Sequence, residues 1–263
     1  LASIILGKQA ETTAADVNAD GKVNGTDIVA LCNIILGRAA SPERRVKAQQ
    51  STANTVFTAQ TEEGVEMTFM VLDETAKTCQ VGSNTPDNYK GTSTDPNAID
   101  WRTIGEITIP EEVNGYTVVG IGLGAFSMCF DITKINLPPP LRFIEADAFI
   151  DCGIKDMVLP DNVESIGSHA FHESRIESIR IPAKVTTIED GAFSCCDQLK
   201  TITSFIKEPF DLSEEPSAKS GWTIFGGCNL SGITLYVPYG TKAKYQQKKV
   251  WPKIRRYFFE CLI

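Results

Sequence analysis

The sequence of 263 residues contains only two histidines, His169 and His172, so a metal site or catalytic triad built on several histidines is not expected. It has no run approaching the ~20 apolar residues that a membrane-spanning helix needs, which excludes a transmembrane span. Basic residues are few: 25 lysines and arginines against 33 acidic residues give a net charge of −8. Because nucleic-acid binding depends on basic side chains that neutralise phosphates, we expect no nucleic-acid partner.

The sequence signatures of common enzyme classes are missing as well. There is no glycine-rich phosphate loop, no nucleophile elbow and no histidine-centred triad. Acidic pairs such as Glu106 and Asp156 occur, but the strands that carry them are not expected to be neighbours. We therefore expect a non-catalytic protein. The sequence shows no secretory signal, but it begins at Leu1 without a methionine, so we expect a processed or truncated chain and infer nothing about compartment from this lack.

The sequence does contain enough apolar residues for a core, 42% of the chain, and two internal repeats that divide it. In the first repeat, residues 1–8 (LASIILGK) recur as residues 31–38 (LCNIILGR). Each copy has apolar residues at helical spacing followed by a glycine, which is typical of the end of a helix.

Between these two copies, residues 16–27 are rich in oxygen-bearing side chains. Counted from Asp16, they fall at positions 1, 3, 5, 9 and 12 of a loop that has glycine at position 6 and offers a backbone carbonyl at position 7. The predicted ligands of a Ca²⁺ ion are Asp16, Asn18, Asp20, the carbonyl of Lys22, Asn24 and Asp27. The alternative interpretation is a surface turn rich in Asn, Asp and Gly that binds no metal.

The loop, followed by a helix that ends in Gly37-Arg38, resembles one unit of a type I dockerin. The resemblance implies a calcium-dependent module that docks onto a cohesin, with Gly25 and Thr26 at the positions that select the partner. Dockerins carry two such units. Here the second unit is complete, and the first is represented only by its helix end, residues 1–8.

The second repeat fills most of the remaining chain. Ala-Phe pairs end at Phe126, Phe149, Phe171 and Phe193, within a unit that reads I-x-x-I-x-(I/L)-P-x-x-V-x-x-I-x-x-x-A-F-x-x-C. A period of 22 predicts a leucine-rich-repeat solenoid, in which neighbouring repeats stack because no single repeat can bury its own apolar face. The spacing and the A-F-x-x-C signature resemble the BspA-type leucine-rich repeats of bacterial surface proteins.

The predicted fold class is α+β: a leucine-rich-repeat solenoid with a small all-helical EF-hand-like (dockerin) module at the N-terminus. The alternation over residues 65–71 predicts a strand, with a partner strand through Cys79 and Val81. Residues 51–103 could be a separate domain or the cap of the solenoid, and we favour the cap. The predicted regions are the dockerin-like module at 1–40, a linker at 41–50, a β-rich N-terminal cap at 51–103, the repeats at 104–240 and a C-terminal cap with a basic helix at 241–263.

One repeated position is shared by cysteine and serine, which predicts a small buried slot rather than paired disulfides. Its members are Cys129, Cys152, Ser174 and Cys196. The neighbouring Cys195-Cys196 pair finds no second cysteine pair or suitably spaced histidine for a zinc site. We expect His169 and His172 to be polar residues of the convex turn rather than ligands.

The positions between the apolar residues of each strand should face the concave sheet of the solenoid. This face is polar, mixed in charge and without exposed aromatics. Two interpretations stay open: a solvated sheet without a ligand, or broad hydrogen-bonded contact with a protein or glycan. The candidate ligand-binding residues are Glu106, Thr108, Lys134, Asn136, Asp156, Ser178, Arg180, Thr201, Thr203 and Thr234, with Val158 and Gly232 at the same kind of position.

Together the two resemblances imply a monomeric, non-catalytic recognition or adhesion protein, secreted or on the outer surface of a bacterium. Its partner would be a protein, either cohesin-like or a host surface protein, or a glycan, and its calcium module would dock onto a partner. The alternative function is an accessory subunit of a glycan-degrading assembly, recruited through a dockerin–cohesin interaction.

Overall fold

The computed structural model describes residues 54–83, 98–100, 102–213 and 223–254, together with the backbone of the strand at 257–261. The chain divides into two units, residues 1–51 and residues 52–263. The first unit, which contains the predicted dockerin-like module, its calcium loop and the predicted linker, lies outside the described residues. Within the described part, no helix is long and apolar enough to cross a membrane.

The second unit consists mainly of short strands. In chain order they are β1 (Val56–Gln60), β2 (Glu66–Asp73), β3 (Thr78–Val81), β4 (Gly105–Thr108), β5 (Glu112–Val113), β6 (Tyr116–Ile121), β7 (Ile132–Asn136), β8 (Phe143–Ile144), β9 (Asp156–Val158), β10 (Ser165–Ile166), β11 (Ser178–Ile181), β12 (Thr187–Ile188), β13 (Thr201–Ser204), β14 (Thr234–Pro238) and β15 (Tyr257–Cys261).

These strands form three sheets. The first has the order β1-β2-β3-β6-β8-β10-β12, with β5 paired to β6. The second has the order β15-β14-β13-β11-β9, and the third contains β4 and β7. The three repeats that carry β7, β9 and β11 each give that strand to the second or third sheet and a two-residue strand, β8, β10 or β12, to the first. Consecutive repeats pair in parallel, as β9, β11 and β13 do, which is the arrangement of a solenoid.

The core lies between these sheets and is made of the repeated apolar positions. In the repeat that begins at Ile176, the side chains of Ile176, Ile179, Ile181 and Val185 are all buried, as are their counterparts in the preceding repeat. The slot shared by cysteine and serine is buried as well, at Cys129, Cys152, Ser174 and Cys196, and no disulfide joins the described cysteines. The prediction of a small buried slot is confirmed.

A column of phenylalanine rings runs through the turns of the repeats. Phe126, Phe149, Phe171 and Phe193 stack with centroid separations of 5.3, 5.3 and 5.4 Å, and Phe225 continues the column at 5.4 Å. The backbone supports the column, because the amide of each of the first four ring residues donates to a carbonyl in the next turn, for example Phe171 N to Ala192 O at 2.8 Å. The sequence pattern misses Phe225 because Ile224 stands where the other turns have alanine.

The same turns use a left-handed backbone conformation at two repeated positions. One series is Gly124, Asp147, His169 and Gly191, and the other is Met128, Asp151, Glu173, Cys195 and Gly227. Residues in the second series have φ of 57°, 52°, 56°, 55° and 81°. A left-handed conformation is uncommon for residues other than glycine, so the stacked turns impose it. Side chains of one series in consecutive repeats therefore lie next to each other.

The two ends of the solenoid differ in part from their prediction. The predicted strand at 65–71 and its partner are observed as the antiparallel pair β2 and β3, and β3 pairs in parallel with β6 of the first repeat. At the C-terminal end, the predicted basic helix is limited to α1 (Lys242–Gln246). It is followed by a 3-10 turn at Trp251–Lys253 and by β15, which pairs in parallel with β14.

Candidate functional site

The strands of the second and third sheets present two rows of side chains on the surface opposite the core. We call this surface the repeat face. Strand pairing places Asp156, Ser178, Thr201 and Thr234 in the first row and Val158, Arg180, Thr203 and Tyr236 in the second. Glu106 and Lys134 are partners in the third sheet, as are Thr108 and Asn136.

All ten predicted face residues are half-buried or exposed, as their alternation with buried residues requires. Gly232 is the exception among the positions that the sequence suggested, because it lies in a 3-10 turn at Leu230–Gly232 rather than in a strand. The second-row position of the last repeat is Tyr236, which pairs with Thr203. The repeat pattern, which fits the sequence from Leu230, predicts this repeat two residues too early. In the structure, the inner residue that pairs with Ile202 is Leu235.

This correction changes the chemistry of the face. An aromatic side chain, Tyr236, is half-buried beside the threonines of β13 and β14, where the sequence predicts no aromatic residue. Aromatic rings with a polar tip combine apolar contact area with hydrogen bonding, and they are common where proteins recognise partners.

The N-terminal part of the face is a network of charge-assisted hydrogen bonds. Lys134 Nζ donates to Glu106 Oε1 at 2.6 Å, and Asn136 Nδ2 donates to the same oxygen at 2.8 Å. These two contacts hold the pKa of Glu106 below its ordinary value. Thr108 and Thr61 likewise lower the pKa of Glu63, a residue of the turn between β1 and β2. The polar groups of this part therefore satisfy one another.

The central part of the face is also internally paired, although less completely. Ser178 Oγ donates to Asp156 Oδ1 at 2.6 Å. The Arg180 guanidinium lies 4.2 Å above the ring of Phe205 and 3.6 Å from Asp161. Val158, which pairs in register with Arg180 on the neighbouring strand, is 59% exposed. Stacking on the Phe205 ring and the ion pair with Asp161 together restrict the Arg180 side chain.

The C-terminal part of the face is uncharged. It consists of Thr201, Thr203, Thr234 and Tyr236, which occupy neighbouring positions on β13 and β14. Adjacent strands in a sheet are about 4.8 Å apart, so hydroxyl groups recur at that spacing across this part. It adjoins Arg180, which pairs in register with Thr203.

Comparison with known proteins agrees with this architecture. Residues 119–236 match the family model of the BspA type leucine rich repeat region, in six copies. Residues 3–36 match the model of the dockerin type I domain. The protein carries a BspA-type repeat region and a dockerin type I domain. Both families are typically non-catalytic, and proteins that contain them are typically secreted or surface proteins of bacteria.

Solved structures that resemble this chain are bacterial leucine-rich-repeat proteins. A leucine-rich repeat protein from Bacteroides ovatus is 24% identical with a TM-score of 0.43, over 71% of this chain and 47% of that one. The T. pallidum leucine-rich-repeat protein is 15% identical with a TM-score of 0.41, over 78% and 96%. The pneumococcal vaccine antigen PcpA is 20% identical with a TM-score of 0.39, over 76% and 47%. The chain thus spans about half of the Bacteroides protein. A search among curated proteins found no match.

The BspA-type match begins within β6 and ends at Tyr236, so it contains the two rows of the second sheet but not Glu106 or Thr108 of β4. The predicted calcium ligands Asp16, Asn18, Asp20, Lys22, Asn24 and Asp27 fall inside the dockerin match, as do Gly25 and Thr26. Their geometry lies outside the described residues.

Proposed function

We propose that this is a non-catalytic recognition or adhesion protein that acts outside a bacterial cell or on its surface. The BspA-type repeat region binds a protein or a glycan through the repeat face, and the dockerin region attaches the chain to a partner when calcium is bound. The observation that carries the first part is the uncharged C-terminal part of the face, where four hydroxyl-bearing residues and Arg180 lie in register on three adjacent strands.

Three features of that region favour recognition over a purely solvated sheet. Its hydroxyl groups both donate and accept hydrogen bonds, which suits peptide groups and sugar hydroxyls alike. Tyr236 adds apolar contact area, and Arg180 adds planar donors on a stacked and therefore ordered side chain. The face is open and broad, so it suits an extended ligand better than a small molecule enclosed in a cavity.

A pair of matched variants tests the role of the face. Thr203→Arg places a bulky cation in its centre, whereas Thr187→Arg places the same side chain at an exposed position of β12 in the first sheet. Each purified variant of the 263-residue chain is used to capture binding partners from an envelope extract and is applied to an array of bacterial and host glycans. The proposal predicts that Thr203→Arg loses the bound partner and that Thr187→Arg retains it. Equal binding by both variants would overturn the assignment to this face.

The calcium part of the proposal rests on the donor set in the dockerin region. Four side-chain carboxylate or amide ligands, the Lys22 carbonyl and a further carboxylate from Asp27 give the oxygen-only environment that Ca²⁺ requires. We assign the ion to Asp16, Asn18, Asp20, Lys22, Asn24 and Asp27, and contact with a cohesin-like partner to Gly25 and Thr26. Asp16→Ala should abolish both calcium binding and docking, and docking that survives this substitution would contradict the assignment.

The dockerin match also favours a second candidate function. A dockerin can recruit a subunit to a glycan-degrading assembly, in which case this chain would be an accessory component rather than an adhesin. The two functions differ in the identity of the calcium-dependent partner. Identification of a scaffold that also holds glycan-degrading enzymes would favour the second function, and a scaffold fixed to the cell surface without such enzymes would favour the first.

A further inference from the structure

Three potential metal-ligand side chains converge at the turn edge of the solenoid, away from the repeat face. A nitrogen of His172, a carboxylate oxygen of Glu173 and the sulfur of Cys195 all lie within 4.8 Å of one another. His172 Nε2 is 3.5 Å from Glu173 Oε1. His172 and Cys195 are half-buried and Glu173 is exposed, so solvent and ions can reach the cluster.

The repeat architecture itself produces this convergence. Glu173 and Cys195 occupy the same left-handed turn position in consecutive repeats, with φ of 56° and 55°. The amide of Glu173 donates to the carbonyl of Ser194 at 3.0 Å, which fixes one turn against the next. Two ligand-bearing side chains are therefore held together by stacked backbone, and His172 is the residue immediately before one of them.

A hydrogen bond orients the histidine for metal binding. Ser194, whose side chain is fully buried, donates its hydroxyl proton to Gly191 O at 2.7 Å, so the same hydroxyl accepts from His172 Nδ1 at 2.6 Å. In the neutral imidazole the proton is then on Nδ1 and the lone pair is on Nε2. Fixing the tautomer and ring orientation through the second nitrogen is the usual support for a metal-binding histidine.

We propose that His172 Nε2, the Glu173 carboxylate and the Cys195 thiolate bind a Zn²⁺ ion at this turn. Nitrogen, sulfur and oxygen ligands together suit this borderline-soft cation, and the oxygen-only preference of Ca²⁺ and Mg²⁺ excludes them from a thiolate site. Three protein ligands leave the fourth tetrahedral position open to water or to a group from a partner. Zinc binds cysteine as the thiolate, so the metal displaces the thiol proton and one H⁺ is released per ion bound.

The test uses the whole 263-residue chain in excess Ca²⁺. Calcium then saturates the oxygen-only loop, so that zinc bound there does not contribute to the signal. Zinc chloride is titrated by calorimetry in buffers of different ionisation enthalpy, which gives the number of ions and protons. Cobalt(II) is then substituted for zinc, because a thiolate ligand gives a sulfur-to-cobalt charge-transfer band. We expect one ion and one released proton per chain, together with that band.

Ligand variants and matched controls identify the site. Cys195→Ser should remove the charge-transfer band. His172→Gln should weaken zinc binding at least as much as Ser194→Ala, which removes the hydroxyl that supports the histidine. For Ser194→Ala we expect about 10- to 100-fold weaker binding, the usual effect of losing such a support. The controls are His169→Gln, in the neighbouring histidine, and Cys228→Ser, in a half-buried thiol outside the cluster. Both should bind zinc like the unmodified chain.

Three results would overturn the proposal. The first is the lack of a thiolate band with cobalt, and the second is unchanged zinc affinity in both Cys195→Ser and His172→Gln. The third is a loss of zinc affinity in the control variants that equals the loss in the ligand variants. The last result would assign the zinc to other cysteines or to general unfolding. Circular dichroism of each variant separates a lost ligand from a lost fold, because only the second changes the spectrum of the sheet.

Discussion

At the scale of single residues, the same chemical group behaves differently according to its position in the repeat. Cys152 and Cys79 are buried thiols whose pKa burial raises to about 12, whereas Cys195 is half-buried at the turn edge and borders the Glu173 carboxylate. The sequence predicts the buried slot of Cys152 because serine replaces cysteine there in one repeat. It does not predict the neighbourhood of Cys195, because the ligand cluster combines one turn residue with two residues from the preceding repeat, and only stacking makes them neighbours.

This difference predicts the order in which the thiols react. In the folded, metal-free chain at mildly alkaline pH, we expect Cys195 to be alkylated well before Cys152 and Cys79, because the thiolate is the reactive form and burial suppresses it at the latter two. Mass spectrometry of peptides after timed alkylation measures the order. Addition of zinc should protect Cys195 and leave the slow thiols unchanged. Modification of Cys152 at the rate of Cys195 would show that the slot is open.

The network on the repeat face predicts the titration of one carboxyl group. Removing the donor in Lys134→Ala should raise the pKa of Glu106 toward its ordinary value of 4.5. Because the folded-state pKa is lowered, the pair stabilises the fold above that ordinary value, and this contribution is lost as the pH falls through the folded pKa. NMR titration of the Glu106 carboxyl carbon measures the shift. Lys200→Ala, which removes the 2.6 Å partner of Glu177 instead, is the control and should leave Glu106 unchanged.

At the scale of strands and turns, the phenylalanine column connects each repeat to the next. Its rings are buried and nearly parallel, with interplanar angles of 3°, 7° and 4° along the first four members. The 22-residue period predicts this column and the strands beside it, because repeated residues must occupy repeated places. Where the period is interrupted near residues 206–221, the prediction fails: it misses Phe225 and places the last strand two residues too early. Loop length in an insertion is set by local conformation, which the periodic pattern does not contain.

The column predicts that truncating a central ring lowers the free energy of unfolding strongly, whereas truncating an exposed apolar residue changes it little. Phe171→Ala removes a fully buried ring that stacks on both sides, and we expect it to lower the free energy of unfolding by about 3–5 kcal/mol. Val158→Ala, at a position 59% exposed, should change it by less than about 0.5 kcal/mol. Urea denaturation followed by circular dichroism measures both. If Phe171→Ala lowered the free energy of unfolding as little as Val158→Ala, the column would not stabilise the solenoid.

At the scale of the whole molecule, the two regions are expected to respond differently to calcium. Residues 1–51 and 52–263 are separate units, and the predicted calcium ligands are confined to the first. The sequence alone defines both regions, since each has its own repeat. It does not identify the partner of either, because a partner is determined by the arrangement of exposed side chains, which the repeat pattern leaves unconstrained.

Removal of calcium should therefore destabilise one unit only. In zinc-free protein, we expect EDTA to lower the melting temperature of the dockerin region and to leave that of the repeat region unchanged, because a ligand stabilises only the unit that binds it. Differential scanning calorimetry with and without calcium measures both transitions, and Asp16→Ala should reproduce the effect of EDTA in the presence of calcium. Equal shifts of the two transitions would contradict the assignment of calcium to residues 1–40.

The most direct test of the proposed function is capture of partners from an envelope extract of the source cells, with this chain as bait, in calcium and in EDTA. We predict one partner that is lost in EDTA and in Asp16→Ala, and a second that is retained in EDTA but lost in Thr203→Arg and kept in Thr187→Arg. This result would assign docking to the dockerin region and recognition to the repeat face. Loss of every partner in EDTA, with full binding by Thr203→Arg in calcium, would contradict recognition by the repeats.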